Sequence, residues 1–361
     1  MMVVARRPIN PRERKEARMR YYCGIDLHAT NSVICVIDDQ EEIHFRGKVP
    51  NCIFEITEKL NVFSPKPEVV VEATLNWYWL IDWLQDDGFN VKLAHTYGLH
   101  MITGAKVKTD KRDAFTLAKL LRLGAIPEAY IYPSEKRPVR DLLRRRAKLV
   151  HLRAEAYTAI RTRLLQQGLY GFSLATLRAL NEEEISEMVT HPVIQASIGH
   201  ELERIRLYSQ EISKMESMLL KFAGKDPLFK LLQTIPGVGK ILGLTIYYEA
   251  GEIQRFGSAK QFCSYARVVP GIAQSGSVTR RGGGSKQGNP HLKWAFMQAA
   301  VLAVRFHPNV KKFREKHLAR RRSKAKRLIT LSIVAHKLAT GAYHVMKGRV
   351  PFEEDLMFTG S

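Results

Sequence analysis

The pattern of apolar and polar positions in the first third of the chain predicts three strands, followed by strands that alternate with helices. YYCGIDLH is predicted to form a strand that ends on Asp26, and SVICVID and EIHFRGKV are predicted to form the next two strands. PEVVVEAT is a continuous β-branched run ending on Glu72, typical of a strand buried on both faces. Helices are expected over about 51–61 and 76–85, and a fifth strand at about 90–94.

The last helix of this region is predicted within KVKTDKRDAFTLAKLL, which opens with charges and then turns apolar at helical spacing. Its two acids, Asp110 and Asp113, are three residues apart and would project from one helix face. Neighbouring acids are stabilised by a cation between them, and Mg²⁺ bound by carboxylates and phosphate oxygens is such a cation. The alternative is an ordinary helix start, with Thr109 as N-cap and acids complementing the helix dipole.

A three-stranded meander followed by alternating strands and helices makes a mixed sheet with helices packed on it. This is the element order of the RNase H-like fold, and the four acids fall where nucleases of that fold keep theirs. Ligands collect at the carboxyl ends of parallel strands, so Asp26, Glu72, Asp110 and Asp113 are expected to meet there. Four carboxylates would hold two Mg²⁺ ions about 4 Å apart, on the attacking and leaving oxygens of a phosphodiester. Taken singly, Asp26 and Glu72 each favour a structural role over a catalytic one, and the metal site is favoured only because all four acids occur in order.

Two long helical patterns occupy the middle of the chain. The first, from Arg140 to Gln167, has no helix breaker and is rich in arginine, with Leu142, Leu149 and Ala156 repeating at seven. The second has apolar residues at alternate steps of three and four, the seam of a coiled coil. The seam residues are Ile205, Tyr208, Ile212, Met215, Leu219 and Phe222. These patterns predict a long helical arm, which is either a dimerisation arm or a bundle within one subunit.

The segment LLQTIPGVGKILGLTIYYEAG predicts two short helices around a Pro-Gly-Val-Gly turn and resembles a helix-hairpin-helix. Gly237 and Gly239 would let backbone N–H groups approach a phosphate, and Lys240 would add positive charge. A plain helix–helix turn is the alternative.

A polar, glycine-rich stretch follows from Ala273 to Asn289, and a helix is predicted after Pro290. A basic glycine-rich loop that leads into a helix suits close approach to phosphates, although the same composition is typical of a flexible loop with Ser275 as a turn residue.

The net charge of +22 changes this picture, because such an excess of Lys and Arg implies a polyanionic partner, most simply nucleic acid. Between Arg305 and Lys326 there are ten Lys or Arg residues against one acid, Glu315. The candidate nucleic-acid contacts are Lys106, Lys108, Lys111, Arg112, Gly237, Gly239, Lys240, Arg280, Arg281 and Lys286.

The cysteines and the apolar runs limit the class of protein to which the sequence belongs. Four cysteines without CxxC spacing are typical of reduced residues and do not indicate a disulfide or zinc framework. No apolar run reaches membrane-spanning length, and the N-terminus lacks the apolar core of a signal peptide. We therefore expect a cytoplasmic protein without a membrane partner.

The motifs GIDLH, VVVEATLNWY and KTDKRDA together resemble the three acidic motifs of the DEDD transposases of bacterial insertion sequences. The resemblance extends from about Tyr21 to Met346 and includes the Pro-Gly-Val-Gly turn and the Gln-Ser-Gly loop in the family's order. Two positions depart from the family's pattern: Ala29 stands where members often carry Lys, and Leu75 stands where many carry Gly.

The resemblance implies a RuvC-like N-terminal domain with a metal site at the four acids, and it places Ser275 at the family's nucleophilic serine. Ser277 and Ser285 are the next candidates. It also implies a homodimer that assembles into a tetramer in the synaptic complex, and guidance by an RNA encoded by the element itself. That RNA would pair with donor and target DNA.

The predicted fold is an RNase H-like α/β domain, a helical coiled-coil arm and a mainly α C-terminal domain with the helix-hairpin-helix and the serine loop. The corresponding ranges are a basic tail at 1–20, the α/β domain at 21–126, the helical region at 127–225, the C-terminal domain at 226–347 and a tail at 348–361. The predicted function is a Mg²⁺-dependent transposase with a covalent phosphoserine intermediate. The rivals are a hydrolytic Holliday-junction resolvase or nuclease, and a nucleic-acid-binding protein with a degenerate nuclease fold.

Overall fold

The protein was analysed as a computed structural model that describes residues 19–103, 110–269, 271–275, 278–282 and 287–358. The chain divides into two compact units, Met1–Ser134 and Glu135–Ser361. Several sequence-predicted residues lie outside the described ranges, namely Lys106, Lys108, Ser277, Ser285 and Lys286.

The first unit is a six-stranded mixed sheet with helices on both faces. Its strands are β1 (Tyr22–Leu27), β2 (Asn31–Ile37), β3 (Ile43–Pro50), β4 (Glu68–Glu72), β5 (Val91–Ala94) and β6 (Glu128–Ala129). Its helices are α1 (Ile53–Asn61), α2 (Tyr78–Asp86), α3 (Thr96–Thr103) and α4 (Asp110–Arg122). Across the sheet the order is β3-β2-β1-β4-β5-β6, with β4 parallel to both β1 and β5 and the other pairs antiparallel. The predicted mixed α/β sheet is confirmed.

Three details of the first unit differ from the prediction. Strand β1 continues one residue past Asp26, to Leu27. Helix α3 was not predicted, because its sequence TYGLHMIT contains a glycine and lacks a clear apolar stripe. Strand β6 is too short to leave a periodic signal.

Alternation along the strands sorts the apolar side chains of the sheet onto two faces. Ile25 and Val71 belong to one core, which is covered by the apolar stripes of α1 and α2. Tyr22 and Val70 belong to a second core, which is covered by Ala114 and the following apolar residues of α4. Helix α4 therefore lies on the opposite face of the sheet from α1 and α2.

The second unit is mostly helical and contains one small hairpin. Its helices are α5 (Arg137–Gln166), α6 (Leu174–Ala179), α7 (Glu182–Met188), α8 (Pro192–Ala223), α9 (Pro227–Leu232), α10 (Lys240–Ala250), α11 (Ala259–Tyr265), α12 (Pro290–Phe306), α13 (Pro308–Ala319), α14 (Lys326–Gly348) and α15 (Glu354–Phe358). Its strands are β7 (Gly271–Ser275) and β8 (Val278–Gly282). The main core lies around α12 and α14 and includes Phe262, Phe296 and Leu338.

The predicted arm is a pair of long helices, α5 and α8, that pack against each other within the chain. Every seventh residue of the predicted seam, Ile205, Ile212 and Leu219, is buried. Phe222 is 71% exposed and does not join that interface. Polar contacts add to the pairing, since Arg146 Nε donates to Glu216 Oε1 at 2.8 Å. Dimerisation through this arm stays a prediction.

Candidate active site

The register of β1 and β4 places two of the predicted acids side by side. The parallel pair matches Gly24 with Val70 and Ile25 with Val71, so the residues that follow, Asp26 and Glu72, come next to each other at the carboxyl ends of the two strands. By strand alternation both acids share the face that carries Val70, which is the face covered by α4.

Helix α4 contacts β1 backbone to backbone, because Gly24 has no side chain. A Cβ atom at Gly24 would lie 2.1 Å from the carbonyl oxygen of Ala114 and 2.6 Å from the backbone nitrogen of Ala118. Asp113 directly precedes Ala114 in the chain, and Asp26 is two residues beyond Gly24 on the same strand face. The contact therefore brings the first turn of α4 close to the strand ends.

The C-terminal end of α4 lies near the start of β1, at the opposite end of that strand from Asp26. This fixes the direction of the helix. Lys119 Nζ donates to Glu41 Oε2 at 2.9 Å, and Arg122 Nη1 donates to the Asp39 carbonyl oxygen at 3.2 Å. Both partners follow β2, whose last residue, Ile37, pairs with the first residue of β1. The opposite end of α4, with Asp110 and Asp113 on its first turn, accordingly lies at the carboxyl edge of β1.

The carboxyl edge is partly shielded from water. Asp26 is only 6% exposed, Glu72 and Asp113 are half-buried, and Arg112 beside Asp113 is exposed. His28 Nε2 lies 3.5 Å from Asp26 Oδ2. Carboxylate oxygens are ligands that Mg²⁺ prefers, so this set of oxygen donors fits a divalent cation such as Mg²⁺.

Two asparagines that the sequence analysis did not single out hold the loops of this edge together. The carbonyl oxygen of His28 accepts hydrogen bonds from Asn51 Nδ2 at 2.9 Å and Asn76 Nδ2 at 3.0 Å. Ser32 Oγ donates to Asn51 Oδ1 at 2.7 Å, and Thr74 Oγ1 donates to Asn76 Oδ1 at 3.1 Å. The GIDLH turn is thereby tied both to the end of β3 and to the loop after β4. The only sequence signal was the position of each asparagine after a strand and before a helix.

A second group of potential metal ligands lies at the other edge of the first unit. Among the described residues, Asp38, Glu42 and His44 bring ligand atoms within 4.8 Å of one another. Asp38 Oδ1 accepts the backbone N–H groups of Gln40 and Glu42, and Asp38 Oδ2 lies 2.8 Å from His44 Nε2. Asp38 therefore already organises the β2–β3 turn through both of its oxygens.

In the second unit, Ser275 is the last residue of β7 in an antiparallel hairpin. The register pairs Ser275 with Val278, Ala273 with Arg280, and Ile272 with Arg281. Two of the predicted cations therefore stand on the strand opposite the serine strand.

The hairpin replaces the loop that composition predicted. β-Branched residues in both strands favour extended backbone, and two residues separate the strands, a spacing typical of tight hairpins. The glycines in this stretch concealed that signal, because they also suit a flexible loop.

Two sequence models of transposases match two separate regions of the chain. One, a DEDD transposase model of the IS110 group, matches residues 23–168, and the other, described as the transposase IS116/IS110/IS902 family, matches residues 229–315. The chain belongs to the IS110 family of transposases. The first match contains Asp26, Glu72 and the acids of α4, and the second contains the β7–β8 hairpin. The family resemblance of the acidic motifs is thus confirmed, and the protein is a DNA transposase.

Individual relatives agree with the family. The transposase is 25% identical over 304 residues to y4qE of Sinorhizobium fredii, which is named as a transposase. The aligned region covers 81% of this chain and 73% of that protein. It is 26% identical over 297 residues to the pilin gene-inverting protein of Moraxella bovis, covering 79% of this chain and 82% of that protein. It is 27% identical over 214 residues to the transposase for insertion sequence element IS1111A of Coxiella burnetii, covering 56% of each.

The Pro-Gly-Val-Gly turn of the transposase connects α9 and α10, and its two glycines differ in surroundings. Gly237 has a φ of +77° and packs against α12, where a Cβ atom would lie 2.1 Å from the carbonyl oxygen of Ala299. Gly239 is exposed with open space around it, and it precedes Lys240, the exposed first residue of α10. The backbone N–H groups at this helix start have no side-chain cap.

The basic stretch that begins at Arg305 runs from the last turn of α12 through α13 and the connection that follows it to the start of α14. All its Lys and Arg residues are exposed except Arg314, which is half-buried. None of the helices within the described ranges combines the length and apolar character that crossing a bilayer requires.

A buried polar network anchors the segment that follows the hairpin. Glu249 of α10 is 2% exposed and accepts two hydrogen bonds from the guanidinium group of Arg144, at 2.7 and 2.8 Å. Asn289 Nδ2 donates to the same carboxylate at 2.7 Å. Asn289 Oδ1 accepts the backbone N–H groups of His291 and Leu292, and so caps α12. The network joins α5, α10 and α12.

The residue before Asn289 must be glycine. Gly288 has a φ of +98°, and a Cβ atom there would lie 2.4 Å from the carbonyl oxygen of Tyr265. That same carbonyl accepts the backbone N–H of Asn289 at 2.6 Å. The chain therefore leaves the hairpin region through a fixed backbone path.

The network makes the stability of the second unit dependent on pH. Burial raises the pKa of Glu249, but the contacts with Arg144 and Asn289 lower it by more, so its pKa lies below the usual value. The stabilisation is therefore present above the unfolded-state pKa of about 4.3 and is lost as pH falls through the lower folded-state pKa. We expect Glu249→Gln to lower the free energy of unfolding at pH 7 by about 2 kcal/mol. The difference from wild type should shrink below about pH 4.

Urea unfolding of the full chain, followed by far-ultraviolet circular dichroism at several pH values, measures this difference. Glu203→Gln, an exposed glutamate of α8, is the matched control and should leave the unfolding free energy unchanged at pH 7. A difference for Glu249→Gln that is the same at about pH 2.5 and at pH 7 would contradict the assigned ionisation.

Proposed function

We propose that this transposase cuts and rejoins DNA strands at a Mg²⁺ site formed by Asp26, Glu72, Asp110 and Asp113, with Ser275 as the nucleophile. The observation that carries the proposal is the edge of the sheet where Asp26 and Glu72 end adjacent parallel strands beneath the first turn of α4. Acids brought from two strands and a helix to one edge make a site that no single element could form. Two bound Mg²⁺ ions would supply a cationic environment for the scissile phosphate and for developing charge on the attacking and leaving oxygens.

The protein groups have separable roles in this proposal. The carboxylates of the acidic edge fix the phosphate indirectly by binding the cations, and the Asn51 and Asn76 hydrogen bonds hold the loops that carry Asp26 and Glu72 in place. Exposed Arg112, next to Asp113, is positioned for a phosphate of the same strand.

Ser275 needs activation, because a serine hydroxyl is a weak nucleophile at neutral pH. The segment from Ala273 to Pro290 contains no Asp, Glu or His, so the group that accepts the hydroxyl proton must come from elsewhere. We assign that role to a carboxylate of the acidic edge. Arg280 and Arg281 of β8 can stabilise phosphate charge but are unsuited to accept a proton.

The chemical step conserves the phosphodiester. The Ser275 hydroxyl loses its proton as its Oγ bonds to phosphorus, and the bond from phosphorus to one deoxyribose oxygen breaks. The protein then holds one DNA end as a phosphoserine diester, while the released oxygen takes up a proton. Attack by the hydroxyl of another DNA strand reverses these steps and joins the new ends without an external energy source.

We further propose that the partner of the cationic surface includes an RNA encoded by the element, in addition to donor and target DNA. The net charge of +22 and the exposed basic stretch from Arg305 suit backbone binding of a large polyanion. The sequence has no recognised base-reading motif, so base pairing by such an RNA would supply the specificity.

The acidic site is tested with Asp113→Asn. This variant should lower strand cleavage by about a thousandfold or more, because it removes a ligand of Mg²⁺. It leaves unchanged the Lys and Arg side chains that bind phosphate. DNA binding should change less than twofold, and Mg²⁺ should raise the melting temperature of wild type more than that of the variant. Asp86→Asn, an exposed acid of α2, is the matched control and should behave as wild type. Full cleavage by Asp113→Asn, or by wild type in excess chelator, would refute the metal assignment.

The nucleophile is tested by trapping the reaction of end-labelled DNA and separating products on denaturing gels. Wild type should yield a covalent protein–DNA adduct, and Ser275→Ala should yield none because the attacking oxygen is gone. Ser264→Ala, an exposed serine of α11, should retain the adduct. An adduct formed by Ser275→Ala would assign the nucleophile to another residue, with Ser277 next to test. Cleavage by wild type without an adduct would favour a hydrolytic mechanism.

The RNA partner is tested by purifying the protein from its native host and sequencing the RNA that accompanies it. We expect an RNA transcribed from the element, and recombination should stop when ribonuclease digests it and resume when the transcript is added back. Site-specific recombination by RNA-free protein would show that the protein reads its DNA sites unaided.

A further inference from the structure

A leucine projects fully into solvent beside the acidic edge. Leu75 follows Glu72 by three residues, and its exposed fraction is 103%, as large as in an extended chain. A leucine in this position buries no apolar area within the chain, so it adds nothing to the stability of the fold. Single exposed apolar residues are common on proteins, but few are held as this one is.

Hydrogen bonds hold the loop on both sides of Leu75, through the backbone of Ala73 and the side chain of Asn76. Before it, the Ala73 N–H donates to the Ala94 carbonyl at 3.0 Å, and Thr96 Oγ1 donates to the Ala73 carbonyl at 3.2 Å. After it, Asn76 donates to the His28 carbonyl at 3.0 Å. The loop is therefore tied to β5, to α3 and to the GIDLH turn, and Leu75 is its solvent-exposed residue.

A second exposed side chain follows the strand next to β4. Tyr97 is 54% exposed and directly follows Thr96, whose hydroxyl group bonds to the loop that carries Leu75. Leu75 and Tyr97 thus flank the carboxyl ends of β4 and β5, next to the acids that end β1 and β4. The phosphate backbone of DNA is anionic, so it offers no apolar surface for this pair to contact. The apolar part of DNA is its base stack.

We propose that Leu75 inserts into the base stack at the step next to the scissile phosphate and opens it, with Tyr97 supporting the displaced base. Leucine is one of the side chains that proteins use as apolar wedges between base pairs, where they partly unstack the step and bend the duplex. Opening the step would let the phosphate reach acids that lie within a protected edge of the sheet. The inference depends on the proposed function, because it places the scissile phosphate at Asp26, Glu72 and the first turn of α4.

The test compares two DNA duplexes that carry the element's recombination site, using full-length protein purified from its host. One duplex is fully paired, and the other has mismatched bases at the scissile step, so that the step is already open. Leu75→Ala should cleave the paired duplex about tenfold more slowly than wild type, because the wedge offsets part of the cost of unstacking the step. It should cleave the mismatched duplex within twofold of wild type. Leu75→Met, which restores an apolar wedge, should recover the paired rate.

A fluorescent base gives a readout that does not depend on cleavage. With 2-aminopurine placed at the scissile step, binding of wild type should raise the fluorescence as the base unstacks, and binding of Leu75→Ala should leave it low. Val62→Ala is the matched control: Val62 is 74% exposed, follows the last residue of α1, and should match wild type in both assays.

The outcomes separate this inference from the proposed function. If Leu75→Ala slows both duplexes equally, or neither, the wedge is refuted, and an equal loss would point instead to a contact with another protein surface. Asp113→Asn should cleave neither duplex, although it should still raise the 2-aminopurine fluorescence. Cleavage of either duplex by Asp113→Asn would refute the acidic site itself and leave the fluorescence result to decide the wedge.

Discussion

The acidic edge of the first unit depends on one close contact, the backbone of α4 lying on the backbone of β1 at Gly24. Most helices pack on sheets through side chains, which keep the two backbones apart. Here the missing Cβ lets the Ala114 carbonyl occupy the space that a side chain would fill. The helix comes close enough for its first turn to face the ends of two strands. Without that approach, Asp26 and Glu72 would form a strand-end pair separated from the acids of α4.

The same edge shows how local order and chemistry are linked. Carboxylates that lie close together repel one another, and this repulsion favours any rearrangement that separates them. The hydrogen bonds of Asn51 and Asn76 to one carbonyl oppose such a rearrangement, because they fix the backbone of both loops without adding charge. A network of neutral donors can therefore keep the acids together before any cation binds. The second unit uses a different solution, since its buried Glu249 is directly neutralised by Arg144.

Much of the fold could be predicted from sequence, because periodicity is a local property. The strands ending near Asp26 and Glu72, the helix of Asp113 and the two long helices all follow from apolar spacing, and the family from the order of the acidic motifs. The contact at Gly24 and the clamp on the His28 carbonyl could not be predicted, since both join residues distant in sequence through geometry that leaves no periodic signal. The β7–β8 hairpin was missed for a different reason, because its glycines favour a loop as strongly as its β-branched residues favour strands. Phe222 fits the heptad spacing but lies where α5 offers no partner.

The helical arm has a consequence for how the length of such proteins can change in evolution. Helices α5 and α8 contain 30 and 32 residues, so each is about 45 Å long, more than one turn of B-form DNA. The outer part of the arm has its own core with α6 and α7, and the inner part packs against α9 and α10 through a separate one. Because the seam repeats every seven residues, adding seven to each helix would preserve both cores and move the tip outward by about 10 Å. The length of the arm can thus change in steps of seven residues while the rest of the unit stays unchanged.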